Sequence, residues 1–170
     1  QATVELFGSE DGCRLVAGAL ERADGGTLLL DEVMDLDLLT QGRLLSALQS
    51  GRFPRPGSDR PVSFDARLIA MTRHDLTREV AAGRLREDLY YYLNVIPVWV
   101  PPLRDHVEDV PELLAFFVNH MVDRDKLRYR RFSLAAQNRL RNYGWPGNVR
   151  ELQNLVQRLL VIGDDEEISL

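Results

Sequence analysis

Two adjacent acids, Asp31 and Glu32, follow directly on the apolar run Thr27-Leu28-Leu29-Leu30. A run of that length reads as a buried parallel strand, and its carboxyl end is where open α/β sheets bind ligands. There, one carboxylate can hold Mg²⁺ through water and the next can polarise an attacking water, as nucleotide hydrolysis requires. By itself the pattern is weak, because strands commonly end in acids at a solvent boundary. Other chemistry finds less support. His74, His106 and His120 are too scattered for a ligand set, and Cys13, the single cysteine, has no evident activating partner. A phosphate loop of the form GxxxxGK followed by Ser or Thr needs a lysine. Lys126, the only lysine, is followed by Leu127, so these 170 residues contain no such loop.

The elements that must carry the acids follow from pattern. With 45% apolar and 28% charged residues the composition is ordinary for a globular chain, which predicts one domain or one domain with a small lid. A net charge of −5 restricts any nucleic-acid role to a local patch. The apolar runs are far shorter than the roughly 20 residues that span a bilayer, and no basic segment leads into one near Gln1, which predicts a soluble cytoplasmic protein without membrane contact. Leu36 to Leu48 recurs at helical spacing, Gly51 to Pro61 reads as a loop, and Ala66 to Met71 as a second strand with Thr72 to Asp75 at its end. Asp75 suits the cap of a helix through about Ala82, and Asn94 to Val100 reads as a third strand closed by Pro101-Pro102. Alternating strands and helices predict a parallel α/β sheet. After Arg104, Val110 to Val122, Ser133 to Tyr143 and Asn148 to Ile162 are amphipathic, which predicts an α/β part over 1–103 and a helical part over 104–170. Lys126, Arg128, Arg130 and Arg131 stand beside Asp123 and Asp125 and read as a solvated loop rather than a nucleic-acid surface; Trp145 reads as a packing anchor.

Five segments in fixed order carry a resemblance. They are Glu5 to Gly8 (ELFG), Ala23 to Glu32 (ADGGTLLLDE), Arg84 to Leu89 (RLREDL), Pro101 to Arg104 (PPLR) and Trp145 to Leu152 (WPGNVREL). Together they closely resemble the AAA+ domain of NtrC-type enhancer-binding proteins, the activators of sigma-54 RNA polymerase, and look most like the NtrX response-regulator branch. The resemblance covers nearly the whole chain. It implies a partial AAA+ parallel-sheet core followed by an all-helical lid, with ATP and Mg²⁺ as cofactors. It further implies that Asp31 is the Walker B acid on the magnesium side and Glu32 the acid toward the attacking water. Thr72 stands at the sensor I position. Arg86 matches an arginine that reaches across a subunit interface toward the neighbour's γ-phosphate, and Arg150 matches sensor II. The residues alone leave plainer readings open: Arg86 as a surface ion pair beside Glu87-Asp88, and Arg150 as a partner of Glu151 or a neighbouring helix.

Three departures bear on activity. In the family the phosphate loop lies upstream of ELFG, so the chain resembles a fragment. The polymerase-contacting GAFTGA loop follows ELFG in the family, whereas Gly12 is followed here by Cys13-Arg14-Leu15-Val16-Ala17-Gly18, with only 14 residues, Ser9 through Arg22, between Gly8 and Ala23. Such a loss is known among NtrX-like regulators, and it predicts control of transcription without GAFTGA-mediated sigma-54 contact. Finally, Tyr92 occupies the place of the second finger arginine, and a neutral phenol cannot do a guanidinium's work on a phosphate. Arg73 stands where a neutral residue usually follows sensor I and offers a compensating charge. The expectation is therefore the central domain of a two-component regulator that uses ATP binding or hydrolysis and homo-oligomerises through its core. RNA polymerase or a sigma factor is its partner, and DNA contact is left to a separate domain absent from these residues. The alternative is a degenerate module that oligomerises or senses nucleotide without ATPase activity.

Overall fold

A computed structural model describes residues 2–163 and 165–169. They fall into two compact units that divide between Pro97 and Val98. The first runs α1 (Ala2–Phe7), β1 (Ser9–Asp11), β2 (Arg14–Val16), α2 (Ala19–Arg22), β3 (Thr27–Asp31), α3 (Leu38–Ser50), β4 (Arg52–Pro54), β5 (Pro61–Ser63), β6 (Arg67–Met71), α4 (Leu76–Ala81) and α5 (Glu87–Leu93). Strands β3 and β6 pair in parallel, in register from Thr27 opposite Arg67 to Asp31 opposite Met71. Between them, α3 begins where the Asp37 carboxylate accepts the Thr40 N–H (2.8 Å) and stops at Gly51, whose φ of 65° suits glycine.

The expectation of a buried strand holds for one face only. Leu28 and Leu30 lie in a core with Leu6, Leu20, Leu44 and Phe53, whereas Leu29 is 52% and Ile69 41% exposed on the other side. The expected third strand over Asn94 to Val100 does not form. Helix α5 occupies the approach as far as Leu93, and no neighbouring strand among the described residues offers this segment a ladder of hydrogen bonds. Val95, Ile96, Val98, Trp99 and Val100 are accordingly 74% to 83% exposed. The expected loop over Gly51 to Pro61 contains structure instead, because β4 pairs antiparallel with β5. The ribbon tolerates its prolines because Pro54 faces Pro61 at its end, where the ladder stops.

In place of a long loop, Ser9 to Val16 folds as the hairpin β1–β2. Its base is closed by two glycines whose backbones nearly touch: a Cβ on Gly8 would run into the Val16 carbonyl, and one on Gly18 into that of Leu6. The hairpin is pinned to the connection between β4 and β5. Glu10 N–H donates to the Pro56 carbonyl (2.9 Å), and Arg55, mostly buried, bridges Glu10 (3.3 Å) and Glu21 (2.6 Å).

The second unit holds α6 (Val110–Asp125), β7 (Arg131–Phe132), α7 (Leu134–Arg141), α8 (Asn148–Ile162) and β8 (Glu167–Ile168). Its core gathers Leu114, Met121, Leu152 and Val156 around Trp145. Trp145 is buried, and its indole N–H donates to the Leu140 carbonyl (2.9 Å), so it is the packing anchor expected at this turn. Among the described residues the only strand pairing in this unit is the two-residue parallel bridge β7–β8, so the fold is a parallel-sheet α/β core followed by a helical lid.

The basic cluster is not simply a solvated loop. Arg130 is buried, and its guanidinium donates to the Leu159 and Asp165 carbonyls at the end of α8. Arg131 pairs with Glu167 (3.4 Å) and Arg128 with Glu166 (3.7 Å). The arginines clamp the acidic segment after α8, a pairing across some 35 residues of sequence. Gly163 makes room, since a Cβ there would run into the Arg130 guanidinium. Arg130→Ala is expected to cost about 1–3 kcal/mol by removing a buried guanidinium and its two bonds to part-buried carbonyls, read as a lower urea midpoint. Gly163→Leu is expected to lower the midpoint as well.

Candidate nucleotide site at the carboxyl ends of β3 and β6

The parallel register decides which residues meet at the end of the sheet. Asp31 closes β3 opposite Met71, and the next N–H, that of Glu32, donates to the Met71 carbonyl (3.0 Å). The chain then turns sharply: Glu32 adopts φ 56°, a left-handed conformation uncommon for a non-glycine residue, and leads into a short 3₁₀ turn over Val33–Asp35. That turn aims the Glu32 side chain at the end of β6. One carboxylate oxygen accepts the Thr72 hydroxyl proton (3.1 Å), and the other accepts the Arg73 N–H (3.0 Å), with the Arg73 guanidinium 3.6 Å away. Thr72 Oγ1 in turn accepts the His74 N–H (3.1 Å). The structure thus brings Glu32 and Thr72 into contact, with Asp31 next to Glu32 at the end of β3. It adds Arg73, through both its backbone and its side chain.

The two acids are not equivalent. Glu32 has both oxygens engaged, whereas the exposed Asp31 carboxylate makes no hydrogen bond or ion pair among the described residues. No group of three or more His, Cys, Asp and Glu capable of holding a metal occurs among the described residues. One open carboxylate still suits Mg²⁺, which keeps several of its waters and needs few protein ligands. The residues present therefore fit a water-bridged Mg²⁺ at Asp31.

Arg86 lies apart from these groups in sequence, at the start of α5. Its guanidinium forms a two-point pair with Asp88 (3.0 and 2.7 Å), and its backbone N–H donates to the Gln41 side-chain oxygen (2.9 Å). The plain reading of Arg86 as an ion pair is thus structurally real; the guanidinium nonetheless remains about half exposed. Tyr92 points to α3, where its hydroxyl donates to the Leu48 carbonyl (3.1 Å). Arg150 belongs to the second unit, in the first turn of α8, exposed and without an ion pair to Glu151. The Glu151 carboxylate instead accepts the Gly147 N–H (2.8 Å) at the start of that helix. Sequence reasoning missed Gln41. A glutamine within an apolar helical pattern was the available signal.

Comparison with known proteins gives this geometry its setting. The sigma-54 interaction domain family matches residues 2–99, and the AAA+ ATPase lid domain family matches residues 104–170. The chain belongs to the sigma-54 interaction domain family, in the NtrC/NtrX type of enhancer-binding regulators. It is 46% identical to the transcriptional regulatory protein ZraR of Klebsiella oxytoca, over 97% of the chain and 38% of that protein. It is 43% identical to the DNA-binding transcriptional regulator NtrC of Rhizobium meliloti, over 97% of the chain and 35% of that protein. Crystal structures of NtrX from Brucella abortus, one in complex with ADP and one with ATP, superpose with a TM-score of 0.90 at 40% identity, over 96% of this chain and 38% of theirs. The chain therefore spans well under half the length of these relatives. It is an AAA+ domain of the sigma-54 activator class. No helix among the described residues is long and apolar enough to cross a membrane.

The Arg86 guanidinium holds the Asp88 carboxyl below the usual aspartate range. A depressed value stabilises the folded state above about pH 4 and loses that contribution as pH falls through the folded value. An NMR titration of Asp88 is expected to show a midpoint below that of free aspartate, moving upward in Arg86→Ala. An unmoved midpoint in the variant would contradict the two-point pair.

Proposed function

We propose that this chain is the central domain of a two-component NtrC/NtrX-type regulator that uses ATP binding or hydrolysis, together with homo-oligomerisation through its core, to control transcription. Residues 1–103 serve as the ATPase part and 104–170 as the lid. One observation carries the reading: the parallel register of β3 and β6 sets Glu32, next to Asp31, against Thr72 and Arg73 at one end of the sheet. Mg²⁺, when bound, would neutralise phosphate charge. Asp31 supplies its carboxylate, Glu32 orients and polarises the attacking water, and Thr72 reports on the phosphate through the hydroxyl it now gives to Glu32. Arg86 reaches a neighbouring subunit's nucleotide, and Arg150 couples the lid to the phosphates. The Brucella NtrX structures solved in complex with ADP and with ATP support this reading, because this chain shares their fold at 40% identity over 38% of their length.

The partner is RNA polymerase or a sigma factor, and DNA contact belongs to another domain of a cytoplasmic regulator. A GAFTGA-type contact is left out of the proposal because the segment that would supply it is a short hairpin, closed by Gly8 and Gly18 and pinned by Arg55. The second reading, a degenerate module without hydrolysis, draws on Tyr92. That phenol replaces a cation and spends its hydroxyl on Leu48. Arg73, beside Glu32, supplies a positive charge at the same end of the sheet and favours the first reading.

Calorimetry on the 170-residue chain is expected to show negligible Mg-ATP binding, since it contains no phosphate-loop lysine. A regulator that joins this domain to a phosphate loop is expected to hydrolyse ATP with a specific rate rising with protein concentration. Arg86→Ala is expected to lower that rate by about 10³-fold or more, and Glu32→Gln by about 10²- to 10⁴-fold. ATP binding with no turnover at any concentration would favour the degenerate module.

A further inference from the structure

Gln41 is fully buried and uses its whole side-chain amide on backbone. Its nitrogen donates to the Leu36 (2.8 Å) and Arg84 (3.0 Å) carbonyls, and its oxygen accepts the Arg86 N–H (2.9 Å). No other side chain offers two donors and an acceptor at that reach without charge. One residue further along α3, Gly42 has no Cβ, and one placed there would lie 3.4 Å from Arg86 Nη1 and 3.6 Å from its Cζ. The guanidinium therefore rests on bare helix backbone on one side and is held by Asp88 through two bonds. A glycine inside a helix lowers its stability relative to alanine, so this one calls for a local reason. A methyl there would already touch the guanidinium at 3.4 Å, so a branched side chain would have to displace it.

We infer that Gln41 and Gly42 are positioning residues for Arg86: Gln41 fixes the backbone from which the side chain departs, and Gly42 leaves the surface along which its guanidinium lies. The inference rests on the reading of Arg86 as a finger acting on a neighbouring subunit. It assigns to α3 a role besides core packing, since one turn of that helix sets where the finger's charge stands. Misplacing a charged group by about 1 Å can cost 10²-fold in rate, so the setting has kinetic weight.

Gly42→Val is the discriminating variant, because it removes a helix glycine while crowding the arginine. In the regulator with its phosphate loop, Gly42→Val is expected to keep or raise the melting temperature. It is also expected to lower kcat by about 10- to 100-fold with little change in KM for ATP. Gln41→Met, which matches the shape but not the bonds, is expected to lower kcat and the melting temperature together. Mixing Gly42→Val with Glu32→Gln is expected to restore turnover, because the first keeps an intact Glu32 and the second a correctly held Arg86. In the 170-residue chain, Gly42→Val is expected to shift the Arg86 Nε–Hε NMR signal.

The outcomes separate cleanly. If Arg86→Ala keeps full turnover, the finger reading itself fails. If Arg86→Ala loses turnover while Gly42→Val and Gln41→Met keep it, or if mixing restores nothing, the positioning inference fails and the finger reading stands. Should the native regulator prove inactive, an Arg86 signal unmoved by Gly42→Val still overturns the inference, and a shifted one upholds the cradle without the catalysis.

Discussion

The contacts of Glu32 with Thr72 and Arg73 depend on the parallel ladder between β3 and β6. Five residues on each strand stand in fixed register, and the ladder's last hydrogen bond, from Glu32 N–H to the Met71 carbonyl, determines that Glu32 faces Thr72 and Arg73. Side chains alternate along a strand with a period of two, so a slip of one residue would turn Glu32 away from Thr72 and expose Leu28 and Leu30. The packing of those two leucines against Leu20 and Leu44 is thus what sets the carboxylate on the threonine. Hydrophobic burial fixes the register, and the register composes the site.

Arginine does most of the polar structural work, and burial decides what each one does. Arg55 and Arg130 are largely enclosed, one bridging two glutamates beside the β1–β2 hairpin and the other closing the end of α8. Arg73 and Arg86 keep their heads in solvent while their backbones are tied down, by Glu32 and Gln41 respectively. A guanidinium on an anchored backbone retains reach without losing its starting point, which suits a group meant to meet phosphate charge.

The exposed apolar residues mark where strand propensity lacks a partner. Val95 to Val100 has the β-branched and aromatic composition of a strand, yet a strand exists only through hydrogen bonds to a neighbour. Leu29, Ile69 and Met71 show the same thing on the sheet, where one face is packed and the other is open among the described residues.

The sequence by itself determined the elements whose signals are local. Apolar runs ending in acids, the Asp75 cap and the 148–162 periodicity read directly as strands and helices, and five ordered motifs identified the family. Asp31, Glu32 and Thr72 were legible as candidates for that reason. What only the tertiary structure decided were pairings between distant segments. These include the clamp of Arg130 on the end of α8, the hairpin at Ser9–Val16 stapled by Arg55, and the hold of Gln41 on Arg86, 45 residues away. Such contacts leave no periodicity to read, because they form when folding brings together groups whose separation along the chain is arbitrary. The same cause removed the third strand: its residues were right, and no neighbouring strand stands beside it among the described residues.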